Sequence, residues 1–117
     1  MSKRTEREFL IDIKEAVKRI LTYSENLDFE SFLRDLKTQD AIVRNIEIIG
    51  EAVKNLSDDF INQYPNTPWK NIAGMRDKLI HHYFGVNVDI VWDVVKIEMP
   101  KLEKQIEEIL EQANKSD

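Results

Sequence analysis

A chain of 117 residues with a hydrophobic share of 42% is the size of one domain, residues 1–117, with a modest core, and small helical domains of this kind often bury more surface by dimerising. It has no cysteine, which excludes disulfides, zinc–thiolate centres and thiol nucleophiles. The formal net charge of -5 counts against a general nucleic-acid-binding surface but not against a small local site. The apolar runs are too short to span a membrane, and no apolar stretch of a secretory signal follows the first residues, so a cytoplasmic protein without a membrane partner is expected.

The three glycines and three prolines punctuate helices. Phe9, Leu10, Ile13, Val17, Ile20 and Leu21 recur at three- and four-residue steps and predict an amphipathic helix over residues 5–24. Asp28 suits the cap of a short second helix ending at residue 35, with Phe29, Phe32 and Leu36 as its apolar set. Thr38 suits the cap of a third, whose buried stripe is Ile42, Ile46, Ile49, Val53 and Leu56. Ser57 can cap a single turn before the loop Tyr64-Pro65-Asn66-Thr67-Pro68. A helix resumes with Pro68 in its first turn, and Gly74 is placed to interrupt it. Phe84-Gly85-Val86-Asn87 breaks the chain again, with Asn87 as the cap of a helix carrying Ile90, Val91, Val94 and Val95. Pro100 predicts a kink or break near residues 97–100. Leu102, Ile106, Ile109 and Leu110 line a last helix that frays near Lys115. No convincing strand and no internal repeat is visible. The expected fold is all-α, a compact up-and-down bundle of about five main helices.

Both histidines of the chain lie in Arg76-Asp77-Lys78-Leu79-Ile80-His81-His82-Tyr83. Arginine holds a phosphate through two parallel hydrogen bonds and stabilises charge building on it. Histidine titrates near neutrality and moves protons. Together they suit metal-free cleavage of a phosphodiester, and the chain offers no cysteine or multi-histidine ligand set for a metal. Over residues 69–83 the charges are Lys70, Arg76 and Lys78 against Asp77, so the acidic chain is locally basic here; the acid over residues 98–117 reads as a solvated helix face. Asp77 and His81 are four apart and share a helix face, where the carboxylate can fix the imidazole tautomer. Arg76 and His81 differ by about 140° around an ideal helix. The arginine's length, a helix end or a second subunit must close that gap, and a two-fold homodimer with facing motifs is the preferred solution. His82 is a bystander in this reading, and a tyrosine such as Tyr83, taken alone, is more often a core-edge residue with a wet hydroxyl. The bland alternative for Arg76, Asp77 and His81 is a surface ion-pair cluster at a helix C-terminus.

Arg44, Glu47, Glu51 and Lys54 share a second stripe opposite the apolar one. It reads as a salt-bridged solvent face or as the polar wall of a dimer cleft, where Ile48 and Gly50 would admit a second helix. Trp69 and Trp92 read as anchors packing the motif helix on its neighbours, with base stacking as the lesser alternative.

Arg76, His81 and Tyr83 fit the Arg-x-x-x-x-His-x-Tyr signature of the HepT-like toxins, a branch of the HEPN superfamily. Arg44-Asn45-Ile46-Glu47-Ile48-Ile49-Gly50-Glu51-Ala52 resembles a second signature block of that family. Pro68-Trp69-Lys70-Asn71-Ile72-Ala73-Gly74-Met75-Arg76-Asp77 resembles the lead-in to its motif, and Val91-Trp92 with Met99-Pro100 the following helices. The resemblance implies an all-helical homodimer with its site in the intersubunit cleft. It implies the toxin of a type II- or VII-like toxin–antitoxin pair, an endoribonuclease that cleaves RNA without metal or cofactor. Arg76 and His81 would be catalytic and Asp77 the polar residue beside the arginine. Tyr83 would be the tyrosine to which an MntA-type minimal nucleotidyltransferase attaches AMP. Some relatives of this kind are described only as nucleotide- or substrate-binding subunits of nucleotidyltransferases, and that non-catalytic reading stays open.

Overall fold

A computed structural model describes residues 4–79 and 87–115. Helix α1 (Glu6–Tyr23) opens on a capping box: Thr5 Oγ1 accepts from the Glu8 N–H at 3.2 Å and Glu8 Oε1 accepts from the Thr5 N–H at 3.0 Å. Leu10, Ile13, Val17 and Ile20 are buried as their spacing predicts, while Phe9 and Leu21 are half-buried at the edge. Asn26 takes a left-handed backbone, φ 63°, in the turn that follows, a conformation asparagine tolerates better than most residues.

Asp28 caps α2 (Phe29–Arg34) by accepting from the Ser31 N–H at 2.8 Å. Helix α3 (Leu36–Lys54) is capped by Asp35 and not by Thr38. The Thr38 N–H and hydroxyl both donate to the Asp35 carboxylate, at 3.0 and 2.7 Å. An ionised carboxylate that accepts two bonds is the stronger cap, and threonine becomes its donor. The helix therefore starts earlier than expected. Leu36 becomes its first residue, 69% exposed, instead of joining the apolar set of α2. Gln39 Nε2 closes the corner by donating to the Phe32 and Leu33 carbonyls at 2.8 and 3.2 Å.

The C-terminus of α3 returns to the start of α1, where Ser57 N–H donates to the Glu6 carboxylate at 3.3 Å. The two long helices thus run antiparallel and form the main packing layer, and α8 (Met99–Lys115) covers another flank of α1. Ser57 caps α4 (Asp58–Gln63). Pro68 stands just before α5 (Trp69–Ala73) and not in its first turn. Its φ of −79° and ψ of 68°, with the Trp69 N–H donating to the Thr67 carbonyl at 2.8 Å, form an inverse γ-turn. Trp69 is buried and donates Nε1–H to the Tyr64 carbonyl at 3.0 Å, tying α5 to the preceding loop. Gly74 separates α5 from α6 (Met75–Leu79), as expected.

The described chain resumes at Asn87, whose N–H donates to the Leu79 carbonyl at 3.1 Å and whose side chain caps α7 (Val88–Asp93). Trp92 packs on Phe32 and Phe29, with ring centroids 5.0 and 5.8 Å away. It therefore anchors α7 to α2. The break expected before Pro100 takes the form of one wide π-helical turn, Val94–Glu98, that carries α7 into α8. The Met99 N–H bonds back to the Val94 carbonyl, which accommodates proline without ending the helix. Among the described residues every element is helical, and the fold is an all-α bundle. Phe32, Ile13, Ile42, Ile46, Ile49, Leu79 and Met99 are wholly buried at its centre.

Candidate functional site

Helix α6 is short and two-sided. Met75 and Leu79, four apart, are buried, and Leu79 has no exposed surface. Arg76 and Asp77 project on the exposed side, so the core holds the backbone that carries them. Arg76 Nε lies 3.3 Å from Glu47 Oε2 on α3, within hydrogen-bond geometry. Arg76 Nη1 is 3.9 Å from Asp77 Oδ1, an ion pair without a hydrogen bond. The Asp77–His81 pairing and the placements of His81, His82 and Tyr83 lie outside the described residues.

The Arg76–Glu47 contact follows from how α5 crosses α3. A Cβ built on Gly50 would stand 3.3 Å from the Ala73 carbonyl oxygen, so only glycine admits this approach without a shift. Glu47 is three residues before Gly50, and Arg76 is three after Ala73.

The stripe of Arg44, Glu47, Glu51 and Lys54 does not form the ladder of ion pairs its spacing allows. Among the described residues none of the four bridges to another, and Glu47 turns to Arg76 instead. The four line a groove of about 550 Å³ whose other walls are Arg4 just ahead of α1, Phe9 and Asp12 of α1, and Ala73 and Arg76. That volume lies within the roughly 300–1,000 Å³ of small-molecule sites. Arg4 is held in this wall by Asp12 Oδ2 at 2.7 Å and lies over the Phe9 ring, 5.0 Å from its centroid. The Asp12 hydrogen bond raises the Arg4 pKa above its ordinary value. The α1 wall escapes a reading by motif because its residues carry no spacing that separates them from any helix start. The Arg4, Glu8 and Asp12 steps of four are the one available signal.

Fold and groove together define a small all-α protein whose polar site lies on a helix–helix face. The family described as ribonuclease HepT-like matches residues 13–109. A protein of Methanocaldococcus jannaschii named as a candidate RNase is 54% identical over 110 residues, covering 94% of this chain and 91% of its own. A protein of Thermococcus cleftensis named as a candidate ribonuclease HepT is 47% identical, covering 92% and 97%. A candidate RNase of Caldanaerobacter subterraneus subsp. tengcongensis is also 47% identical, covering 92% and 96%. No solved structure matches the chain significantly. This chain belongs to the ribonuclease HepT-like family. Among the described residues no helix is long and apolar enough to cross a membrane.

Proposed function

We propose that the chain is a metal-independent endoribonuclease toxin, working as a two-fold homodimer and silenced by a nucleotidyltransferase that transfers AMP to Tyr83. One observation carries the reading: in a chain of a ribonuclease family, Arg76 of the signature stands at the wall of a polar groove with its guanidinium fixed. His81 follows two residues after the buried Leu79 in sequence, so the core-held end of α6 bounds its reach.

In the reaction, the 2′-hydroxyl of RNA attacks the adjacent phosphorus. The new 2′-O–P bond forms as the P–O5′ bond breaks, and the 2′-hydroxyl proton is passed, with His81 assisting, to the departing 5′ oxygen. Arg76 stabilises the charge that grows on the non-bridging oxygens. The products are a 2′,3′-cyclic phosphate and a 5′-hydroxyl. DNA lacks the nucleophile and is inert. AMP on Tyr83, seven residues after Arg76 in sequence, would add bulk and negative charge that engage the guanidinium and repel the RNA backbone.

The test incubates wild type, Arg76→Ala and His81→Ala with total RNA, with and without a chelator. Cleavage by wild type alone, unaffected by chelation, is expected. Cleavage that persists in both variants or stops with chelator overturns the reading, and binding of nucleotide without any cleavage would favour the non-catalytic subunit. Mass mapping after incubation with the nucleotidyltransferase and ATP should place AMP on Tyr83, and Tyr83→Phe should escape silencing.

A further inference from the structure

We propose that Glu47 is the positioning residue for Arg76: it holds the guanidinium by its inner nitrogen and leaves the outer edge open to a phosphodiester. The inference rests on the ribonuclease reading above and adds a role for a residue on a different helix. A guanidinium carries five N–H donors in a planar fork, one on Nε and four on the terminal nitrogens. Glu47 Oε2 engages Nε alone, at 3.3 Å. Asp77 Oδ1, at 3.9 Å from Nη1, attracts without taking a hydrogen bond. Among the described residues the terminal nitrogens of Arg76 therefore have no hydrogen-bond acceptor. They form an edge that can bind two phosphate oxygens in parallel while Nε stays with Glu47.

The Glu47 side chain is 31% exposed and that of Arg76 49%, so the arginine is the more open partner of the contact, and both line the groove. A free surface arginine would have to lose several rotamers when the phosphate arrives. One bond from Glu47 removes that disorder beforehand, at a donor the phosphate does not need. A carboxylate gripping the outer edge would compete with RNA; one gripping Nε orients the fork instead. Gly50 makes the contact possible, because the close crossing of α5 over α3 places Glu47 opposite Arg76.

The test uses full-length Glu47→Gln, which keeps an oxygen able to accept from Nε, and Glu47→Ala and Glu47→Met, which keep the helix and lose the acceptor. Expected is a kcat lower by about ten- to a hundredfold in the Ala and Met variants, with little change in KM, and recovery of most of it in Gln. Independently of turnover, the Arg76 Nε–H resonance, assigned by its loss in Arg76→Lys, should have a rigid heteronuclear NOE in wild type and Glu47→Gln and a mobile one in Glu47→Ala and Glu47→Met. Equal mobility in all four, or a folded Glu47→Ala or Glu47→Met as active as wild type, overturns the proposal. If wild type cleaves no RNA, the ribonuclease reading fails by itself, and the Nε–H measurement still decides whether Glu47 positions Arg76.

Discussion

Gly50 and Ala73 stand so close that a single added methyl at Gly50 would lie 3.3 Å from a backbone carbonyl. Alanine in place of a mid-helix glycine raises helix propensity by about 1 kcal/mol. The carbonyl must retreat by a few tenths of an ångström, which offsets part of that gain. Gly50→Ala should therefore change the melting temperature little while moving Ala73, and with it Arg76, away from Glu47. Ribonuclease activity should fall several-fold more than stability explains. Gly50→Val, which overpacks the crossing, should lose about 1–3 kcal/mol in denaturant titration as well. An active Gly50→Ala at wild-type level would show that the crossing distance does not govern the site.

This crossing also marks how far the site could be read in sequence. Each partner is visible: Glu47 sits in a four-residue polar stripe, and Arg76 heads the signature motif. Their pairing is not visible, because it joins residues 29 apart, and Gly50, readable as admitting a second helix, does not tell that the helix is α5 of the same chain. Helices read well where local chemistry decides them, as at the Asp28, Ser57 and Asn87 caps. They read less well where two good caps compete, as Asp35 and Thr38 do, since the winner depends on which side chain can also donate to the other. Pro100 marks the place of an irregularity but not its form. Its missing N–H predicts a kink or break near residues 97–100, and the turn before it widens into a π-helical turn while the helix continues.

Asn45 offers a stability test within α3. It is 5% exposed, and its amide donates to the Ala41 carbonyl at 2.9 Å while Oδ1 has no partner among the described residues. A buried oxygen without a donor costs about 1–3 kcal/mol, whereas an apolar group of the same shape does not. Asn45→Leu should raise the urea midpoint with an unchanged m-value. A lowered midpoint would mean that the oxygen is satisfied in solution, by water or by a second subunit.

Acid should loosen the helix starts first. Hydrogen bonds from Ser31 hold Asp28 below its ordinary carboxylate pKa, and those from Thr38 do the same for Asp35; the Thr5 bonds lower Glu8. The folded pKa lies below the unfolded value in each case, so near the ordinary carboxylate range the unfolded chain binds more protons. The stabilisation is present above the unfolded pKa, about 3.9 for Asp and 4.3 for Glu, and is lost as pH falls through the folded one. Asp35→Asn keeps an acceptor for Thr38 and removes the titration. Its stability should change less than that of wild type between neutral pH and pH of about 3 in urea titrations. An identical acid slope would assign the loss to other carboxylates.

The groove makes a prediction about salt. Arg44 and Lys54 lie on its α3 face without an ion-pair partner among the described residues, while Arg4 and Arg76 are each engaged by a carboxylate. If RNA tracks the groove, Arg44 and Lys54 neutralise phosphates directly and release condensed counterions. Each such contact on a single strand contributes about 0.7 to the slope of log affinity against log salt. Arg44→Ala and Lys54→Ala should therefore each flatten that slope by about this amount and weaken binding evenly across RNA sequences. The experiment uses catalytically silent His81→Ala protein, so that RNA stays intact through a titration from low to physiological salt. Glu51→Gln, in the same stripe, should strengthen binding slightly by removing a like charge from the phosphate path. An unchanged slope in both cation variants would place the RNA backbone outside the groove.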